Sequence, residues 1–204
     1  METTMRIQRA NWLLLVIILT AQLVVLWISP EERTLGVGIK PVYLHVSLTW
    51  TGMFLLAVSG FLGFGVAISK DEKMASWLKI IYTVGFGIFG AGFLVSLYAS
   101  VVNWGGVPFR EPRVITALNI LVVAAVAWIL TRWIPRKRLN GLLSMVPVVF
   151  MIMTVKGSTI VLHPDNPVQS SPNGIKYAFY GMFMLALLLA GWWVCTLRKK
   201  EDAA

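Results

Sequence analysis

Long apolar stretches alternate with short polar ones along the chain, and six of the stretches are long enough to cross a bilayer. They run at about 12–28, 43–68, 78–102, 114–134, 140–162 and 177–197. A helix of roughly 18 or more apolar residues spans the hydrocarbon layer, whereas a shorter run is more at home in a soluble core. The pattern therefore predicts an all-α polytopic membrane protein in which residues 1–204 form one membrane domain with short loops. Composition agrees, with 57% hydrophobic and only 13% charged residues and a mean hydropathy of +0.75, far from the profile of a soluble domain. No internal repeat or low-complexity tract interrupts the pattern.

The polar segments orient the spans. Arg6 and Arg9 precede the first span, Lys70, Lys73 and Lys79 lie between the second and third, Arg132, Arg136, Lys137 and Arg138 between the fourth and fifth, and Arg198, Lys199 and Lys200 after the sixth. These 12 basic residues share one side; the other side has five, Arg33, Lys40, Arg110, Arg113 and Lys176. The positive-inside rule then predicts that both termini are cytoplasmic. Most of the net charge of +9 follows from this asymmetry, so it gives no ground for nucleic-acid binding. Trp27, Tyr43, Trp104 and Tyr177 fall near the outer boundary and Trp77, Trp133, Trp192 and Trp193 near the inner one, as an aromatic belt requires.

The first span is longer than a signal-peptide core and ends in Trp27-Ile28-Ser29-Pro30, without a small-x-small cleavage site, so it is expected to remain as a helix. Cys195 is the only cysteine, which excludes a disulfide framework and a Cys-x-x-Cys-His haem attachment. Gly92, Ser96 and Ser100 recur at a spacing of four in the third span, as do Ser59 and Gly63 in the second. Small residues at this spacing let helices approach closely. Gly85, Gly87 and Gly90 either do the same or leave room for a ligand.

Only two histidines occur, His45 and His163. One opens the second span and the other closes the fifth; these spans run in opposite directions, so both histidines are expected at the outer face. Two imidazoles facing one another suit the axial positions of a single haem. The plainer alternative is a pair of interfacial histidines, each bonded to a loop carbonyl or a lipid headgroup. No Asp or Glu falls within the six runs, which removes the carboxylates a proton-coupled pump needs. Lys156 is the one clear intramembrane charge, seven residues before His163 and thus on roughly the same helix face. It either tunes the electrostatics beneath a ligand or pairs with backbone carbonyls.

At this point a family resemblance emerges. His45-Val46-Ser47-Leu48-Thr49-Trp50 is similar to a His-Val-x-x-Ala-Trp opening of a helix, and Trp104-Gly105 with Pro108 looks like the start of a tryptophan-rich outer loop. Glu111-Pro112-Arg113-Val114-Ile115-Thr116 resembles the Asp-Pro-Arg-Leu-Thr that leads from that loop into the next helix. In this order, along nearly the whole chain, these elements resemble the cytochrome c assembly family, the haem-handling membrane proteins of the CcmC/CcsA type. The departure lies in the loop, contracted to residues 103–111, where Trp104 alone remains of the tryptophan cluster, Phe109 is a substitute for part of it, and Glu111 replaces the aspartate.

The resemblance implies a multi-pass protein of the prokaryotic cytoplasmic membrane that binds one noncovalent haem b through His45 and His163 and presents it at the outer face in cytochrome c maturation. Its implied partners are a haem chaperone or apocytochrome c and other membrane subunits of the machinery. Arg110 and Arg113 stand in the short loop with the charge that haem propionates require, and the alternative for them is a solvated loop or lipid-phosphate contact. Trp50, five residues from His45 and off its face, either walls an adjacent part of the pocket or packs on a neighbouring helix. No catalytic nucleophile or acid–base pair is visible, so handling of haem is expected rather than an enzymatic reaction. A b-type cytochrome subunit of a respiratory complex and a haem-free assembly scaffold remain alternatives.

Overall fold

The computed structural model describes residues 2–157, 168 and 171–203, with side chains for 11–154, 168 and 171–203. His163 and the side chain of Lys156 therefore lie outside the described residues. Among the described residues the fold is all-helical: α1 (Glu2–Ile28), α2 (Ile39–Ser69), α3 (Glu72–Trp104), α4 (Pro112–Trp133), α5 (Lys137–Gly157) and α6 (Asn173–Asp202). All six are long and apolar enough to cross a membrane. Several run a few residues past the apolar spans, because polar residues at the ends supply caps and fit the boundary.

Local chemistry explains where the helices stop. Between α2 and α3, Lys70 adopts the left-handed conformation (φ 56°) and the Asp71 carboxylate then accepts from the Met74 N–H at 2.7 Å, closing one helix and capping the next. Gly105 ends α3 with φ 72°, a backbone that costs glycine little and other residues more. Pro112 opens α4 at a position where its missing N–H has no intrahelical role.

Helix α2 lies at the centre, packed on α3, α5 and α6; α4 leans on α5 and α3, and α1 rests mainly on α6. In lipid, helices associate through close packing and polar contacts, since the surroundings are as apolar as the side chains. Gly52 faces the backbone of Phe89 on α3, and Gly92 of α3 faces that of Thr49 and Leu48; a Cβ on either would lie within 3.0 Å of the Phe89 or Thr49 backbone. On the other flank Gly63 packs against Gly141 and Gly60 against Val148, so α5 runs antiparallel to α2. Gly85 packs on Leu55 and Leu56, and Gly87 on the Trp193 ring; these two glycines serve helix contact rather than an open cavity.

The bundle has two ends. At one, Asn103 Nδ2 donates to Gly38 O at 2.9 Å, joining the end of α3 to the start of α2. At the other, Lys137 pairs with Glu72, Asn11 Nδ2 donates to Thr196 Oγ1 at 3.0 Å, and Ser76 Oγ donates to Glu201 at 2.8 Å. Both chain termini thus belong to the second end. Trp27, Trp104 and Tyr177 are exposed near the first end, and Trp77 and Trp133 near the second. Tyr43 departs from the expected belt. It is fully buried, its hydroxyl donating to Pro30 O at 2.8 Å and its ring set edge-on to Phe179, because the α1–α2 loop folds over it.

Candidate functional site

His45 lies on the second turn of α2, half-buried. The α2 stripe it shares with Gly52, Leu56 and Gly63, spaced at multiples of a helical turn, faces α3 at Gly52 and α5 at Gly63. Its Nδ1 is 3.0 Å from the Gly92 carbonyl oxygen of α3. The Thr49 hydroxyl, one turn along α2, is 3.3 Å from the same nitrogen. A carbonyl only accepts, so Nδ1 donates to it; in a neutral ring the lone pair is then on Nε2. Metal-binding histidines show this arrangement, in which a hydrogen bond at one nitrogen fixes the tautomer and aims the other.

The Gly92 carbonyl that His45 meets belongs to α3, a helix long and apolar enough to cross a membrane. Gly92 also lies 12 residues before Trp104 in α3, or ~18 Å below it along the axis. Gly92 stood out in the sequence as a small residue for close helix approach, and it packs on α2; that its carbonyl meets His45, with Thr49 beside it, was not legible, because the pairing of two helices is set by packing.

Trp50 turns to the α6 side, where its ring meets Phe183 edge-on with centroids 5.8 Å apart. Of its two readings, helix packing is the contact observed.

The α3–α4 loop forms a separate layer at the same end. Trp104 closes α3 and is 43% exposed, Phe109 is exposed, Arg110 is exposed, and Arg113 is half-buried in the first turn of α4. Glu111, which the sequence marked only as a substitution within a motif, is 3% exposed. Its carboxylate accepts from the Val114 N–H at 3.1 Å and caps α4. The signal that pointed to this role was an acidic residue immediately before a proline at the start of an apolar run. Asn103, also missed, anchors the loop through donations to Gly38 O and Ala99 O.

Among the described residues, no three His, Cys, Asp or Glu side chains stand together as a metal site. A metal ion held by side chains alone usually takes three or four of them. Haem iron brings four nitrogens with its macrocycle and needs one or two protein ligands. A histidine with an engaged Nδ1 in an apolar helix bundle fits that smaller requirement. Among known proteins, no family model and no curated protein sequence matches this chain.

Proposed function

We propose that the protein binds a noncovalent haem b between α2 and α5, with His45 and His163 as axial ligands, and presents it at the outer membrane face during cytochrome c maturation. The observation that carries this reading is the antiparallel packing of α2 on α5. Gly60 lies against Val148 and Gly63 against Gly141, so α5 runs toward the end of the bundle where His45 stands on the second turn of α2. His163 follows α5 in the sequence.

Two further features support it. The Gly92 carbonyl holds His45 in the tautomer whose Nε2 ligates iron. Arg113 and Arg110 supply positive charge in the loop above, suited to the propionates of a haem whose ring is walled by apolar helices. When bound, haem supplies the cargo to be handed on; the chain's own residues hold and orient it. In this reading both termini are cytoplasmic, the membrane is the prokaryotic cytoplasmic one, and the partners are a haem chaperone or apocytochrome c together with other membrane subunits.

The test is an absorption spectrum of the purified full chain, oxidised and reduced. A Soret band with sharp reduced α and β bands is the expected result. His45→Ala and His163→Ala each deplete the haem or leave it five-coordinate and high-spin, and the double variant abolishes binding. Cys195→Ser leaves the spectrum intact, because Cys195 is near the opposite end of the bundle. An unchanged low-spin spectrum in the double histidine variant, or no haem in a preparation supplied with it, overturns the assignment. A reporter fusion after Arg136 is expected to report cytoplasm and one after Gly106 the outer side.

A further inference from the structure

A second cluster lies at the opposite end of the bundle, near the end where the termini meet. Arg132, in the last turn of α4, is exposed but fixed in place. Its guanidinium lies over the Trp128 ring at 4.5 Å, and its Nη2 donates to Thr83 Oγ1 of α3 at 3.3 Å. Trp128 Nε1 donates to the same hydroxyl at 3.1 Å, and that hydroxyl donates to Lys79 O at 2.7 Å. Trp128 in turn stacks on Phe86. A guanidinium has five N–H donors in a rigid fork, so one bond to Thr83 leaves most of the fork directed outward.

The surroundings are cationic and amphiphilic. Lys79, Arg136 and Arg138 are exposed, and among the described residues no carboxylate lies within ion-pair distance of them or of Arg132. The neighbouring carboxylates are engaged elsewhere, Glu72 by Lys137 and Asp71 by the Met74 N–H. Beside this charge, Val122, Val126, Ile129 and Trp133 form an exposed apolar strip along α4, with Trp133 at 78% exposure. Basic sites between helices, next to an interfacial tryptophan, suit lipid headgroups.

We infer that this end of α3 and α4 is a specific site for an anionic diacyl phospholipid, its phosphate held by the Arg132 fork and its acyl chain laid on the α4 strip. Basic residues on this side of the chain already follow from topology, but topology needs no fixed geometry. The stacking and hydroxyl contacts immobilise one guanidinium, and an immobilised fork selects a phosphate where a swinging one only adds charge. A zwitterionic headgroup brings an ammonium into a field of unpaired cations and is disfavoured. Inorganic phosphate has no use for the apolar strip.

Native mass spectrometry of the detergent-solubilised full chain, titrated with phosphatidylglycerol or phosphatidylcholine, tests this independently of haem. Phosphatidylglycerol is expected to be retained preferentially. Arg132→Gln lowers its affinity about tenfold, equivalent to about 1.4 kcal/mol. Thr83→Val and Trp128→Phe keep every charge yet weaken binding several-fold, because the fork is released. The Lys199→Gln/Lys200→Gln double variant removes two charges elsewhere and leaves the affinity unchanged. Equal retention of the two lipids overturns the site, as does an undiminished affinity in Arg132→Gln, or in both Thr83→Val and Trp128→Phe. A loss in the double lysine variant as large as that in Arg132→Gln marks bulk charge instead, and displacement of the lipid by equimolar inorganic phosphate removes the lipid assignment.

Discussion

Gly92 serves His45 in two ways: its missing side chain lets α3 approach α2, and its carbonyl oxygen accepts from the imidazole Nδ1 at 3.0 Å. The two are linked, because a Cβ at Gly92 would stand 2.9 Å from both the backbone nitrogen and the hydroxyl of Thr49, and relief would require the helices to part. Gly92→Ala is therefore expected to destabilise the bundle by ~1–3 kcal/mol, the range for overpacked cores, and to weaken the hydrogen bond. Nitrogen NMR of the haem-free protein reads the second effect directly. The wild type should show a protonated Nδ1 on His45, and Gly92→Ala a mixture of tautomers. A wild-type His45 protonated on Nε2 would contradict the geometry.

Glu111 gives a test at the adjoining loop. Its carboxylate caps α4 through Val114 N and is almost wholly buried. Replacing it by Ala removes an acceptor that the first turn of the helix needs, a loss of ~0.5–2 kcal/mol for N-caps in general. Glu111→Gln retains an acceptor oxygen and should lose less. Thermal unfolding in detergent ranks the three proteins, and equal stability of Glu111→Ala and wild type would show that the cap contributes nothing.

The six helices were legible in the sequence because bilayer thickness leaves a span few alternatives to an apolar helix. The functional site was legible only in part. His45 stood out through scarcity, and Gly92 as a small residue for close helix approach. That the Gly92 carbonyl and the Thr49 hydroxyl both meet the His45 ring was not legible, since only packing selects which groups of α3 face α2 there. Tyr43 was misplaced for the related reason that composition marks it as amphipathic, while the loop fold that buries it and supplies Pro30 O depends on contacts distant along the chain. Glu111 read as a motif variant, and its burial came from the path of the loop after Gly105.

The α1–α2 loop has its own pH dependence. Hydrogen bonding holds the Glu32 carboxyl below its ordinary value of 4.5; the largest cause is the Thr34 hydroxyl, followed by the backbone N–H groups of Leu35 and Thr34. A depressed folded pKa means that the turn is favoured when the carboxylate is ionised. Its contribution is present above the unfolded pKa and is lost as pH falls through the lower folded value. The amide resonances of Thr34 and Leu35 should be unchanged from neutral pH to about pH 5 and shift together below the ordinary carboxylate range. In Glu32→Gln they should show no such titration. A transition centred above 4.5 in the wild type would reverse the sign of this argument.

The loop arginines separate the haem reading from a lipid-facing loop. Arg113 is half-buried at the start of α4, whereas Arg110 is exposed. Water and salt screen an exposed charge strongly and a partly buried one less. If propionates are held here, Arg113→Gln should lower haem occupancy or shift its potential more than Arg110→Gln does, and the double variant should exceed either. Charge-assisted bonds to carboxylates contribute on the order of 1.5–3 kcal/mol when shielded, so the Arg113 effect should reach about tenfold in occupancy at limiting haem. The low-spin spectrum should persist throughout, because neither arginine touches the iron. Trp104→Ala should leave ligation intact as well and act on transfer to the acceptor. Haem content and potential equal to wild type in the double arginine variant would remove the propionate assignment while leaving the histidine pair in place, and loss of the low-spin signature would mean that the loop shapes the axial site itself.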